Sequence, residues 1–344
     1  MGCKSVLLFL FCFARNTERD EIMKNTIITV VVTMLVFLSA CTSTSGDRVT
    51  FVRGEDKIDI LIDGKVFTSY VTASQYLGKS VTKPILFPVL TPAGLNVTRS
   101  FPFAEVAGES HDHPHHTGIF FTYDEVSGNG FWNNTTFPPQ IKHMQVKNMQ
   151  GGASGELTTE SEWIGKENVA LLREERTMLF IPGEAETAID FTITLTALQD
   201  KVEFGDTKEG MFAIRVAHPL QEQDFTGEYQ SSNGDKGEKG VWGKRAEWVK
   251  LEGQIEGVDV GIAILNHPTS TNYPTFWHAR GYGLFSANPL GQFAFENARK
   301  VENPQRFGLT LAKGQSALFK FRMIIYDGLR STEQMQARFA TYAE

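Results

Sequence analysis

The chain has 344 residues, 41% hydrophobic and 21% charged, which supports one large or two modest globular domains. Its net charge of −7 argues against a nucleic-acid partner, which would favour a basic face. Cys3, Cys12 and Cys41 all lie near the N-terminus, so the remainder has no thiol for a disulfide, a thiolate metal site or a cysteine nucleophile.

Residues 1–22 read as an artefact of an upstream start. Met23 opens "MKNTIITVVVTMLVFLSAC", with one lysine, an apolar run from Ile27 to Phe37, and small residues before Cys41. This predicts a lipoprotein signal peptide over 23–40 and lipidation at Cys41. The apolar run is shorter than the roughly 20 residues of a membrane span. Residues 41–50 would then be the lipidated cysteine and a polar tether. The expected location is the bacterial cell envelope, with the membrane touched only through the lipid.

From residue 51 to 344 the sequence predicts a single all-β domain, a large antiparallel β-sandwich of the supersandwich kind, with two successive sandwiches as the alternative. "KIDILIDGKVFTSYV" alternates around Asp63-Gly64, a hairpin signal. "ETAIDFTITLTAL" alternates at Ile189, Phe191, Ile193 and Leu195. "GMFAIRVA", "GVDVGIAILN", "GYGLFSA" and "SALFKFRMIIYDG" read as further strands. Thr226–Gly240 reads as a long polar loop, of a length that usually carries function. Helical periodicity is confined to "STEQMQARFATYAE", capped by Ser331 or Thr332.

Four segments carry candidate chemistry. The first is "HDHPHH", with His111, Asp112, His113, His115 and His116. Pro114 interrupts an extended run, so the segment is expected to be a loop entering the strand "TGIFFTY". Clustered imidazoles suit acid–base work or a divalent metal, and His113, His115 and His116 are the candidate ligands. The second is "NGFWNN", where Trp132 is a candidate stacking face for a sugar ring. The third is "EGMFAIRVAHPL", where Arg215 in an apolar strand needs an anionic partner and His218 follows at the exit. The fourth runs from His267 through Trp277, His278 and Arg280 to Asn288. A His–x–Arg pair on one strand face can combine proton transfer with stabilisation of negative charge. There is no phosphate-binding glycine loop opening a helix and no G-x-S-x-G elbow.

The ordered blocks "DHPHHTGIFF", "GNGFW", "IRVAHPL", "VWGKRAEWVKLEG" and "GIAILNHPTSTNYPTFWHARGYGLFSANPLG" resemble the bacterial family labelled methane oxygenase PmoA, from about Arg53 to Asp327. The resemblance implies a secreted β domain rather than a helical membrane subunit, and a carbohydrate context. The matching positions are Asp112, His113, Pro114, His115, His116, Gly130, Phe131 and Trp132. They continue with His218, Trp242, Gly243, Trp248, His267, Pro268, Trp277, Arg280, Asn288 and Pro289. His111 lies outside this pattern, and Thr117 stands where many relatives carry arginine.

Three functions follow as expectations. The first is a lipid-anchored protein acting on a glycoside or keto-sugar. His113, His115, His116, His278 and Arg280 would be catalytic, and Asp112, Trp132, Arg215, His218, His267, Trp277 and Asn288 would bind substrate. The candidate cofactor is a divalent metal, which could polarise the ketone. The second is a non-catalytic carbohydrate-binding lipoprotein using Trp132, Trp242, Trp248 and Trp277. The third is a metal-dependent oxidoreductase.

Overall fold

The computed structural model describes residues 46–133 and 137–344. The expected leader, Cys41, the start of the tether and Asn134 lie outside the described residues. Strand makes up about 48% and helix about 9%, so the fold is all-β.

Two eight-stranded sheets form the sandwich. The first runs Val49–Arg53, Lys57–Ile62, Lys65–Val71, Ile85–Val89, Ile119–Tyr123, Gly210–Arg215, Leu284–Asn288, Phe276–Ala279. The second runs Glu228–Ser231, Trp248–Ile255, Val258–Asn266, Ser316–Asp327, Glu186–Ala197, Ala170–Pro182, Gly155–Ile164, Gln140–Gln150. Neighbouring strands in both sheets pair antiparallel. The predicted hairpin forms at Asp63 and Gly64, whose φ values of 50° and 77° suit the turn that matches strand twist.

The alternation of Glu186–Ala197 sends Ile189, Phe191, Ile193 and Leu195 into the space between the sheets. There Phe212 of the first sheet lies parallel to Phe321 of the second, centroids 4.7 Å apart, and meets Phe191 edge-on at 4.7 Å. Burying such rings is worth about 1.5–3 kcal/mol each.

Each sheet's outer face is also covered in part. On the second, the helix Thr332–Ala343 packs Met335, Phe339 and Tyr342 against Trp248, Leu265 and Ile324. Ser331 and Gln334 form a capping box that fixes its start. No helix of the described residues is long and apolar enough to cross a membrane.

On the first sheet, Phe120, Ala213 and Leu284 point outward and join Val71, Ile85, Phe87 and Trp132 in a separate apolar cluster. The connection from Leu90 to Gly118 has no regular strand, and it carries the histidine-rich segment. The predicted loop Thr226–Gly240 is mostly structured: it contains the strand Glu228–Ser231 and the short helix Gly237–Val241.

Candidate functional site

Phe212, Ile214 and Val216 face the inter-sheet core, which leaves Arg215 on the outer face beside Ala213. The backbone N–H of Arg99 donates to the carbonyl of Arg215 at 3.0 Å, placing the two arginines side by side. Both side chains are fully buried, so each guanidinium needs strong acceptors.

Asp112 supplies them. Its Oδ1 accepts from Arg99 Nη1 at 2.8 Å, Arg215 Nη2 at 2.9 Å and Ser110 Oγ at 2.7 Å. Arg99 also donates to the carbonyls of Ser110, Asp112, His113 and His116, at 2.8–3.3 Å. One buried side chain thus ties down the whole histidine loop. Burial raises the Asp112 pKa, but Ser110, Arg215 and His113 outweigh it and hold the carboxyl down at about 2. The same burial lowers Arg99 to about 10, with Arg215 adding to the effect.

The remaining oxygen, Oδ2, accepts from His113 Nδ1 at 2.6 Å. This fixes the His113 tautomer with its proton on Nδ1. The His113 side chain is 41% exposed, and its Nε2 has no partner among the described residues. His113 has φ +43°, and its carbonyl accepts from His116 N at 3.0 Å, so the loop turns here rather than running extended.

His115 and His116 behave differently. His116 is 1% exposed, stacked on His113 at 4.9 Å, and meets Trp132 edge-on at 5.3 Å. Its Nδ1 accepts a long bond from Arg215 Nη1 at 3.4 Å, and its Nε2 is buried without a partner. Burial pushes its pKa well down, with His115 and Arg215 adding to this. Burial likewise takes His115 to about 3. Both rings are therefore neutral near pH 7.

The second wall is a hairpin tip. Phe276–Ala279 pairs with Leu284–Asn288, and Arg280–Gly283 forms the turn, closed by Gly283 N to Arg280 O at 2.9 Å. Tyr282 lies flat against His113, centroids 5.3 Å apart and planes 8° from parallel. The Arg215 guanidinium sits over the same ring at 4.7 Å, and that of Arg280 at 5.5 Å. The Arg280 guanidinium also lies 5.8 Å from the Trp242 ring and pairs with Glu238 at 2.8 Å. Trp242, Arg280, Glu222, Glu238, Lys239, Ala298 and Arg299 line a cleft of about 680 Å³. The two histidine-bearing segments therefore meet, through Tyr282 and Arg280.

Other predicted residues do not reach this place. Trp132 is 1% exposed, because it packs on Phe120 and His116, so it offers no open stacking face. Trp248 and Trp277 are fully buried, their indole N–H groups bonded to Gln336 and to the Ala246 carbonyl. Trp242 alone of the four expected platform tryptophans lines the cleft.

His278 is 1% exposed behind Trp242 and donates from Nδ1 to the Lys208 carbonyl at 2.7 Å. Burial takes its pKa to about 4. His267 accepts from Thr269 N and Oγ1 and packs on Tyr342 of the C-terminal helix. Asn288 caps the following turn through Leu290 N and Gly291 N. His218 opens a short 3-10 turn and meets Phe225 edge-on.

His113, His115 and His116 stack and abut rather than converge their nitrogens on a point. Among the described residues, no group of three or more His, Cys, Asp or Glu side chains is arranged to hold a metal. The donor set thus does not fit the candidate divalent metal. Sequence reading missed Arg99, Tyr282 and Glu238. Arg99 gave a weaker signal than Arg215, because "LNVTRSF" alternates apolar and polar residues around it.

Comparison with solved structures gives distant likeness. The GH36 alpha-galactosidase AgaB from Geobacillus stearothermophilus aligns with 81% of this chain and 40% of its own, at 10% identity and TM-score 0.40. The galactosidase domain of the alpha-galactosidase-sucrose kinase AgaSK aligns over 83% and 41%, at 8% identity and TM-score 0.41. A putative aldose 1-epimerase from Escherichia coli K12 aligns over 83% and 100%, at 10% identity and TM-score 0.34. The chain spans about two fifths of the length of the first two. The comparison with curated proteins finds no match. The model of a family of unknown function, DUF6807, matches residues 57–340, and the chain belongs to that family.

Proposed function

We propose that this is a carbohydrate-active enzyme whose acid–base group is His113, working on a glycoside or keto-sugar held in the Trp242–Arg280 cleft. The observation that carries this reading is the Asp112–His113 pair. A carboxylate held by two buried arginines fixes one imidazole nitrogen and leaves the other open. An imidazole so oriented can take a proton at its open nitrogen and return it.

The neighbouring carboxylates are otherwise engaged. Glu238 is bound by Arg280 and by Gly281 N, and both oxygens of Glu222 accept from Glu238 N. Paired glycosidase acids are thus not the natural assignment. For a sugar bearing a ketone, His113 Nε2 would remove the proton from the adjacent carbon. The Arg280 terminal amino groups, which make no hydrogen bond among the described residues, would receive the developing enolate oxygen. Trp242 would supply the sugar-facing ring. We place the protein in the cell envelope, anchored through Cys41, on the strength of the leader sequence alone.

The test is turnover of a panel of nitrophenyl glycosides and their 3-keto derivatives by wild type and His113→Gln. Wild type is expected to act on at least one. The variant should lose roughly 100-fold or more in rate, the usual worth of a positioned acid–base group. No turnover by wild type, or an unchanged rate in the variant, overturns the reading.

A further inference from the structure

A second cavity, of about 210 Å³, adjoins the histidine loop and is lined by Lys83, His115, Thr117, Pro114, Pro102 and the Lys79–Thr82 segment. It shares no lining residue with the Trp242 cleft. Lys83 is 3% exposed. Lysines are almost never this buried unless paired with an acid, yet Lys83 has no carboxylate within salt-bridge distance among the described residues. Its Nζ donates to the His115 carbonyl at 3.0 Å and sits 5.1 Å from the centre of the Phe120 ring. The other charged or titratable groups on the same cavity are Lys79, a further cation, and His115, whose Nε2 is buried without a partner. Among the described residues, nothing there stabilises an ammonium ion beyond one carbonyl and one aromatic face.

We propose that Lys83 is an imine-forming amine, whose Nζ condenses with the carbonyl carbon of a small aldehyde or ketone seated in this cavity. The amine lone pair forms the C–N bond as the carbonyl π pair moves to oxygen. The two amine protons then leave with that oxygen as water, giving C=N, and no oxidant or reductant is consumed. Desolvation lowers the Lys83 pKa to about 7, so an appreciable share of the amine is unprotonated at neutral pH. The cavity is smaller than the roughly 300 Å³ at which drug-sized sites begin, which restricts the ligand to a compound of few heavy atoms.

The experiment is reductive trapping. The full chain is incubated at pH 7 with glyceraldehyde or dihydroxyacetone and sodium cyanoborohydride, followed by peptide mapping. One adduct per chain on the Lys83 peptide is expected, formed at least about tenfold faster than on any other lysine, since ordinary lysines near pKa 10.4 are almost fully protonated there. Lys83→Met should lose the fast adduct. Equal labelling across the exposed lysines overturns the proposal, and so does a fast adduct that persists in Lys83→Met. The wild-type map decides the matter even if that variant does not fold.

Discussion

His113 and Tyr282 lie face to face, centroids 5.3 Å apart and planes 8° from parallel, although 169 positions separate them in the chain. This contact joins the histidine loop to the hairpin tip. Two guanidiniums also lie over the Tyr282 ring, that of Arg215 at 4.7 Å and that of Arg280 at 5.5 Å. The ring is a spacer between His113 of the histidine loop and the Arg280 side chain.

Tyr282→Ala should therefore harm positioning more than folding. It removes two cation–π contacts, each worth about 0.5–1 kcal/mol at a half-exposed site. The expected result is a fall in kcat/KM of tenfold or more with a small change in urea midpoint, and Tyr282→Phe should restore activity. A phenylalanine variant as poor as the alanine one would show that the hydroxyl, not the ring face, is what matters.

Asp112 is the keystone of the loop. Asp112→Asn keeps the shape but removes the carboxylate that pairs directly with Arg99 and Arg215, both fully buried. Removing one partner of a buried pair costs about 3–5 kcal/mol. Because Asp112 itself is 38% exposed, about 2–3 kcal/mol is the expected loss after solvent screening. Chemical denaturation of the variant measures it. A loss below 1 kcal/mol would mean that the two arginines are held by backbone carbonyls alone.

Acid should destabilise the fold well above the carboxylate range. His278 and His115 have folded-state pKa values of about 4 and about 3, and His116 lies well below normal, all chiefly through burial. Unfolded histidine titrates near 6.5. The unfolded chain therefore binds protons first, and stability that is full above pH 6.5 is lost as pH falls through the folded values. For His278, 1% exposed, this is on the order of 3 kcal/mol. Asp112, held at about 2, adds a further loss only below pH 4. The melting temperature should decline steadily from pH 6.5 to 4, and a flat profile there would contradict the burial of these rings.

The second sheet was legible because its strands alternate: Glu186–Ala197 has one face in the core and the other only partly covered. Strands of the first sheet were harder to orient. Ile119–Tyr123 and Gly210–Arg215 are buried at every position, since clusters pack on both faces, and such runs carry no period. Arg215 and the histidine loop stood out by composition, and the structure brings them together. His267, Trp277 and Asn288 looked the same in sequence, but their polar atoms bond their own surroundings, which composition does not reveal. Tyr282 and Glu238 were invisible because their roles come from a hairpin tip meeting a helix, Gly237–Val241, that read as a polar loop.

Gly118 is the hinge that sets the loop on the sheet. It has φ +56°, and a Cβ there would lie 2.1 Å from the carbonyl oxygen of Leu86 and 3.1 Å from Phe87 Cβ. The obstacle is backbone of the neighbouring strand, so a side chain cannot swing away. Gly118 also accepts from Arg215 N at 3.1 Å, next to the strand where Leu86 pairs with Ile119. Gly118→Ala should therefore push Thr117 and His116 off the sheet and disturb the Arg215 bond. The loss should well exceed the roughly 1 kcal/mol of a simple positive-φ glycine. Gly128→Ala is the control: φ is +77°, but nothing lies within 4 Å of its added carbon. The expected pattern is a large drop in urea midpoint and in activity for Gly118→Ala, and a modest drop in midpoint alone for Gly128→Ala. Equal midpoints for the two variants would show that the cost at Gly118 is its φ angle, and that the loop is not pinned by its contact with Leu86.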